Sequence, residues 1–182
     1  MLYMVEMELP QRSLLDEWHR WYDGHLRMLL TVPGFLTAQR FESTTPAASP
    51  FVAMYSLENA GVITSDAYRA KAGPGSTGKW RELMTNWNRN LLEGAVRAPA
   101  VPLDGWLAVM DRRSSSAPPL PSGFIALKPV GLDCSIVERG LLAGDRGTAP
   151  PAPQEADGWQ LRVCRPLTSQ LVPGGGGGAQ HG

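Results

Sequence analysis

The stretch SLLDEWHRWYDGHLRMLL, from Ser13 to Leu30, constrains this chain more than any other. At about 100° per residue, Leu14, Trp18, Trp21, Tyr22, His25, Met28 and Leu29 share one side of a helix. Asp16, Arg20, Asp23 and Arg27 fall together on the other side. Ser13 offers an N-cap hydroxyl, and Asp16 and Glu17 suit the positive N-terminal end. Such a helix has one face to bury. Near the middle of that face stands His25, a titratable ring where a leucine would pack. Either it is a satisfied core histidine, or it faces a cavity and does chemistry there.

The flanking sequence supplies the sheet. LYMVEMEL alternates Leu2, Met4, Glu6 and Glu8 against Tyr3, Val5, Met7 and Leu9, the pattern of a half-buried strand stopped by Pro10. Pro33-Gly34 ends the helix and opens a strand from Phe35 to Glu42. Turn residues from Thr44 to Pro50 lead into a third strand, Phe51 to Leu57, so these two read as an antiparallel hairpin. Ser65 caps a short helix, SDAYRAKA, closed by Gly73-Pro74-Gly75. Another helix is predicted from Ser76 or Thr77, with Trp80, Leu83, Met84 and Trp87 as an inward stripe. Leu91 to Arg97 is then expected as an edge strand. The order βαββαβ places the chain in the α+β class, as a ferredoxin-like unit with both helices on one face of an antiparallel sheet.

The rest reads as a shortened echo. Residues 1–98 form the α+β unit that carries the candidate site, 99–172 a shortened second α+β repeat, and 173–182 a disordered glycine-rich tail. In the echo, Gly105 to Asp111 matches the first strand, and Ser122 to Lys128 could be a two-turn helix or a strand. Val130 to Arg139 overlays Val32 to Phe41, and Trp159 to Pro166 answers the third strand. Gly144 to Asp157 is a Pro/Gly linker between them.

Composition excludes several classes of function. The 17 Lys and Arg balance 17 Asp and Glu, without a basic stripe for nucleic acid or a polybasic segment for lipid. Apolar runs are far too short to span a bilayer, and the N-terminus has no basic region or cleavage site of a signal peptide. Cys134 and Cys164 belong to no Cys/His cluster and read as free thiols in a reducing cytoplasm. There is no GxGxxG after a strand, no P-loop, no GxSxG and no HExxH. His19 and His25 lie on different helix faces and His181 sits in the tail, so neither a metal nor a nucleotide cofactor is expected. Haem stays open, because one histidine suffices for it.

A resemblance emerges from WYDGHL, the following TVPGF, and YSLENAGVITSDAY after the third strand. The matching residues are Trp21, Tyr22, Asp23 and His25; Val32 to Phe35; Arg40; Tyr55, Leu57 and Glu58; and Ser65, Ala67 and Tyr68. In combination they make the first half similar to the dimeric α+β barrel superfamily, and within it to EthD-like proteins. Where those relatives often have proline two residues past the histidine, this chain has Arg27. The resemblance implies that two sheets close a barrel, by homodimerisation or by internal duplication, with a pocket between a sheet and its own helices. Its members include cofactor-independent monooxygenases, lactone isomerases, dehydratases and haem-binding branches, so fold analogy narrows architecture more than reaction.

The candidate chemistry centres on His25. A buried imidazole is held neutral, and a neutral base suits proton abstraction next to a carbonyl. Tyr22, one turn earlier, could donate as an acid or to an oxyanion, or could simply pack. Asp23 falls on the polar side and would orient His25 only if the helix loosened at Gly24. Arg40 would hold a carboxylate or enolate if its strand face were the pocket, and would be a surface cation otherwise. Trp18, Trp21, Trp80 and Trp87, with Tyr55, complete the expected substrate-binding set; they are core residues first, and a flat-ligand lining where a cavity opens. The expected activity is a cofactor-independent lyase, isomerase or cyclase acting on a small hydrophobic carbonyl, aromatic or polyketide-like substrate. Cofactor-independent oxygenation, a non-catalytic carrier of an apolar metabolite and a structural paralogue are the alternatives.

Overall fold

The computed structural model describes residues 1–72, 76–152, 154–156 and 158–174. Among these residues, nine strands and three α-helices follow in order: β1 (Leu2–Glu8), α1 (Leu15–Leu29), β2 (Phe35–Ser43), β3 (Phe51–Leu57), α2 (Asp66–Ala72), α3 (Trp80–Leu83), β4 (Thr85–Glu93), β5 (Trp106–Arg112), β6 (Ile125–Leu132), β7 (Glu138–Gly144), β8 (Gln154–Ala156) and β9 (Trp159–Pro166). All the pairings are antiparallel, in the order β2-β3-β1-β4-β6-β7-β5-β9-β8. β9 also pairs back onto β2 through Phe41–Pro166 and Ser43–Cys164, which closes an eight-stranded barrel within one chain and leaves β8 as an outside flap. Closure removes the exposed edges that an open sheet of this width would carry. Among the described residues no helix is long and apolar enough to cross a membrane.

The expected α+β barrel is present, and its two halves have the same strand order. β2-β3-β1-β4 in the first half corresponds to β6-β7-β5-β9 in the second. The pleat then sorts side chains into two cores. Tyr3, Val5 and Met7 of β1 point outward to meet Trp18, Tyr22, Leu26 and Leu29 of α1. Leu2 and Met4 point into the barrel, where they meet Val52, Met54, Leu107, Val109 and Leu141. The second half has no helix among its described residues. Its outer face is covered by the loop carrying Ala117, Leu120 and Phe124, which pack on Met110, Trp159 and Leu161.

Several predicted elements are corrected. α1 starts with a single 3-10 turn, Arg12–Leu14, so Leu14 and not Ser13 occupies its N-cap, without a side-chain bond. Ser65 does cap α2, accepting the Tyr68 N–H at 3.1 Å, but its predicted stop at Gly73-Pro74-Gly75 lies outside the described residues. The Trp80–Trp87 stripe is broken: α3 spans only Trp80–Leu83, and Trp87 lies in β4. Consequently the expected edge strand at Leu91 is part of β4, an interior strand between β1 and β6. No helix forms at Ser122 to Lys128, where β6 begins at Ile125. The run Val130 to Arg139 is not one strand, because Leu132 and Cys134 adopt positive φ (67° and 42°) and turn the chain from β6 into β7. β9 takes the fourth position in its half, not the third. Both cysteines are free. Of the expected tail, residues 175–182, including His181, lie outside the described residues.

At the seam between the halves, Gly94 follows β4 with φ +118°. A Cβ there would collide with the Ala126 carbonyl oxygen of β6. Gly94→Ala should therefore cost roughly 1–3 kcal/mol, from disallowed backbone plus steric conflict. Urea unfolding should show a lower midpoint at an unchanged slope. An unshifted midpoint would mean that the β4–β6 seam yields freely.

Candidate active site

A cavity of about 550 Å³ opens between the outward face of β1, β3 and β4 and the helices α1 and α2. Its floor is Tyr3, Val5 and Tyr55, and α1 contributes Tyr22, His25 and Leu29. α2 adds Tyr68, Arg69 and Ala72, and the segment into β4 adds Arg81, Met84, Trp87 and Arg89. These residues converge because 3.6-residue spacing sets Tyr22, His25 and Leu29 on one face of α1, while two-residue spacing sets Tyr3 and Val5 on one face of β1.

His25 is half-buried in this wall. Its ring stacks on Trp21, with centroids 5.0 Å apart at 23°, and meets the edge of Tyr22 at 5.7 Å. Among the described residues neither ring nitrogen has a protein hydrogen-bond partner, so both remain free for a ligand. Burial, and then the positive charge of Arg40, lowers its pKa from 6.5 to about 4, so the imidazole is neutral at physiological pH.

That shift has a consequence for stability. Above pH 6.5 His25 is uncharged in both folded and unfolded chains and adds no pH dependence. Between pH 6.5 and 4 the unfolded chain takes up a proton that the folded chain refuses, so stability falls with pH. The loss over that window should be roughly 2–3 kcal/mol. Urea melts at pH 7 and pH 4.5 should show it, and His25→Gln should remove that part of the slope. Parallel slopes for the two proteins would contradict the burial of the imidazole.

The four cavity tyrosines form a hydroxyl cluster. The phenol of Tyr22 acts electrostatically on that of Tyr55, and the phenol of Tyr68 on that of Tyr3. Tyr3 stacks on Tyr55 at 5.5 Å, and Tyr68 stacks on Phe35 at 6.0 Å. Burial pushes Tyr22 up to about 12 and raises Tyr3 and Tyr55 as well. These phenols stay protonated and can donate to an oxygen that gains charge.

Arg40 occupies neither of the two expected places. It is buried beneath α1, with its guanidinium 4.7 Å from the Trp18 ring and 4.2 Å from the Tyr22 ring. Nη1 donates to Asp23 Oδ1 at 3.3 Å, and Nη2 lies 3.0 Å from His19 Nδ1. An arginine can only donate, so that nitrogen accepts and the proton of His19 sits on Nε2. Arg40 thus braces Tyr22 from behind and helps keep His25 uncharged, without lining the cavity.

The other expected site residues divide. Tyr22, His25, Tyr55 and Trp87 are brought together at the cavity, Trp87 from a strand and 41% exposed. Trp21 backs His25 from outside the lining, and Trp80, buried, packs on Trp21 at 5.8 Å. Trp18 is wholly buried core, at 4.7 Å from the Phe51 ring. Asp23 is half-exposed and engaged with Arg40, not His25. Sequence reading missed Tyr3, Arg69, Arg81 and Arg89 as lining residues. A signal for Arg89 existed: in NWNRNLL, Asn86, Asn88 and Asn90 alternate with Trp87, Arg89 and Leu91, which is the period of a strand. Among the described residues no group of three or more His, Cys, Asp or Glu stands together as metal ligands.

No family model and no curated protein sequence matches this chain. Solved structures do match its shape. One, from Lactobacillus acidophilus NCFM and described as a "putative monooxygenase", superposes with a TM-score of 0.50 at 9% identity, covering 95% of this chain and 96% of that one. Another, an "anthrone oxidase-like protein", gives a TM-score of 0.50 at 8% identity, covering 95% and 93%. At such low identity the likeness is one of fold. An α+β barrel built over 95% of this chain is what it shares with them.

Proposed function

We propose that this protein is a cofactor-independent enzyme in which His25 acts as general base on a small hydrophobic carbonyl, aromatic or polyketide-like substrate. The observation that carries the proposal is an uncharged imidazole, with no protein hydrogen bond among the described residues, set beside protonated phenols in a cavity of about 550 Å³. The volume is in the range of small-molecule pockets. In the proposed step a carbon next to a carbonyl loses its proton to a His25 nitrogen, and the electron pair moves onto the carbonyl oxygen. Tyr22 or Tyr55 donates to that enolate oxygen. Returning the proton to another carbon completes an isomerisation. Delivering it to a departing hydroxide completes a dehydration, with water as the second product.

The likeness to a "putative monooxygenase" and an "anthrone oxidase-like protein" favours a second reading of the same first step. The carbanion would react with dioxygen, converting a methylene to a carbonyl and releasing one water. Base removal of the proton is common to both readings, so one experiment tests their shared core. A panel of aromatic and polyketide-like ketones is incubated with the protein in deuterated water, and deuterium at the α-carbon is read by mass spectrometry, with and without oxygen. The native protein should exchange at least one substrate class, and His25→Ala should not. Exchange that survives His25→Ala within a few-fold removes His25 from the mechanism. Ligand-dependent thermal stabilisation without exchange or product would make the protein a carrier.

A further inference from the structure

The cavity is electrostatically one-sided. Arg69, Arg81 and Arg89 line it, and among the described residues no Asp or Glu does. Arg69 is engaged with Asp66 at 3.2 Å across an exposed helix turn. Arg81 has no ion-pair partner among the described residues. Arg89 is the informative one. Register places it opposite Val5 on the cavity floor, and its charge acts on the Tyr3 phenol beside it. Asp133 accepts the Arg89 backbone N–H at 2.7 Å, and its other oxygen makes only a long ion pair with Nη2 at 3.8 Å. Arg89 Nε is buried and has no partner among the described residues.

A buried donor without an acceptor is rare, because it loses water and gains nothing in return. Here the orphaned donor belongs to a guanidinium that is 42% exposed on the wall of the cavity, and among the described residues no acid lines that cavity. Two parallel N–H donors match the two oxygens of a carboxylate. Trp87, two residues earlier on the same face of β4, offers a flat surface for a ring attached to it. We infer that the ligand of this cavity is an aromatic carboxylic acid whose carboxylate is held by Arg89, with Arg81 drawing the anion in. The inference rests on the same cavity as the general-base reading, and it names the substrate class: a keto or hydroxy acid anchored at Arg89 and presented to His25.

The test uses a matched pair of probes on the full chain, 2-naphthoate and its neutral isostere 2-naphthamide, titrated by calorimetry. Naphthoate should bind about 30-fold more tightly to the native protein. Arg89→Gln should reduce naphthoate affinity at least ten-fold while leaving naphthamide within three-fold. Arg89→Lys, which keeps the charge and loses the fork, should fall between them. Equal affinity of the two probes for the native protein overturns the inference, whatever the variants do, as does an absence of naphthoate binding. A preference that survives Arg89→Gln also overturns it. His25→Gln should bind naphthoate as the native protein does. If it does so and exchange chemistry is unaffected by the substitution, the general-base reading fails and the carboxylate subsite stands.

Discussion

With glutamine at position 25, turnover should fall by a factor of about 10²–10⁴ at nearly unchanged KM, the usual worth of a positioned general base. Glutamine preserves polarity and approximate size, so stacking beside Trp21 is retained in part while proton acceptance is lost. The effect should sit in kcat, because abstraction of a proton is felt in the transition state and not in binding. The pH profile gives a second, independent signature. An imidazole lowered to about 4 keeps its basic form across the neutral range, so kcat/KM in the native protein should stay flat down to roughly pH 5. An ordinary imidazole would instead cut activity below pH 6.5. A variant whose KM rises with kcat intact would recast His25 as a binding residue.

The inward histidine was legible because a single helix decides it. Six positions on one face of α1 share a period, and the packing of α1 on β1 follows from that period. Arg40 was harder. Its parity on β2 showed that it opposes Phe41, but whether that face was covered depended on α1 lying over it, which is a tertiary fact. Asp23 looked solvated, and it is half-exposed, yet the buried guanidinium draws it into an ion pair. Arg89 is hidden from the sequence by one mistaken period. Trp80, Leu83, Met84 and Trp87 fit a helical stripe, and the alternating asparagines that immediately follow fit a strand. The strand prevails from Thr85 because β1 has an open edge there and six paired positions to offer.

The same asymmetry runs through the fold. Strands with clean alternation or continuous apolar runs, β1 and β3, were read almost to the residue. The second half is harder to read because, among its described residues, no helix covers its outer face, so its strands carry loops and not amphipathic partners. β6 is the extreme case: only Leu127 is buried, while Ile125, Val130 and Leu132 are at least 36% exposed. No local pattern announces such a strand. Its place is fixed by pairing with β4 and β7, contacts distant in sequence. Closure by β9 onto β2 is equally non-local, and it decides that one chain suffices for the barrel.

Replacing Arg139 by methionine should destabilise the protein by about 3–5 kcal/mol, the cost of leaving a buried carboxylate without its cation. Arg139 is fully buried in the barrel. Its Nε and Nη2 donate to Asp111 at 2.6 and 2.8 Å, and Nη2 also donates to Glu6 at 2.8 Å. Asp111 is its register partner on β5, but Glu6 lies on β1, which is not adjacent to β7. The guanidinium therefore ties the two halves together across the lumen, a link that neither the β4–β6 nor the β9–β2 seam supplies. Arg162 also pairs with Glu6, and its Nη1 donates to the Ser49 carbonyl at 2.9 Å, so Glu6 retains a cation in the variant and Asp111 does not. Hence Asp111 is the carboxylate left without a cation when Arg139 is removed. Asp111→Asn added to Arg139→Met should recover about 1–3 kcal/mol, whereas alone it should destabilise. Calorimetric melting should show a fall of about 10 °C for the single variant and partial recovery for the double. If Arg139→Met melts within 2 °C of the native protein, the charges are replaceable by packing, and the lumen is held by its apolar layer of Met4, Val109 and Leu141 alone.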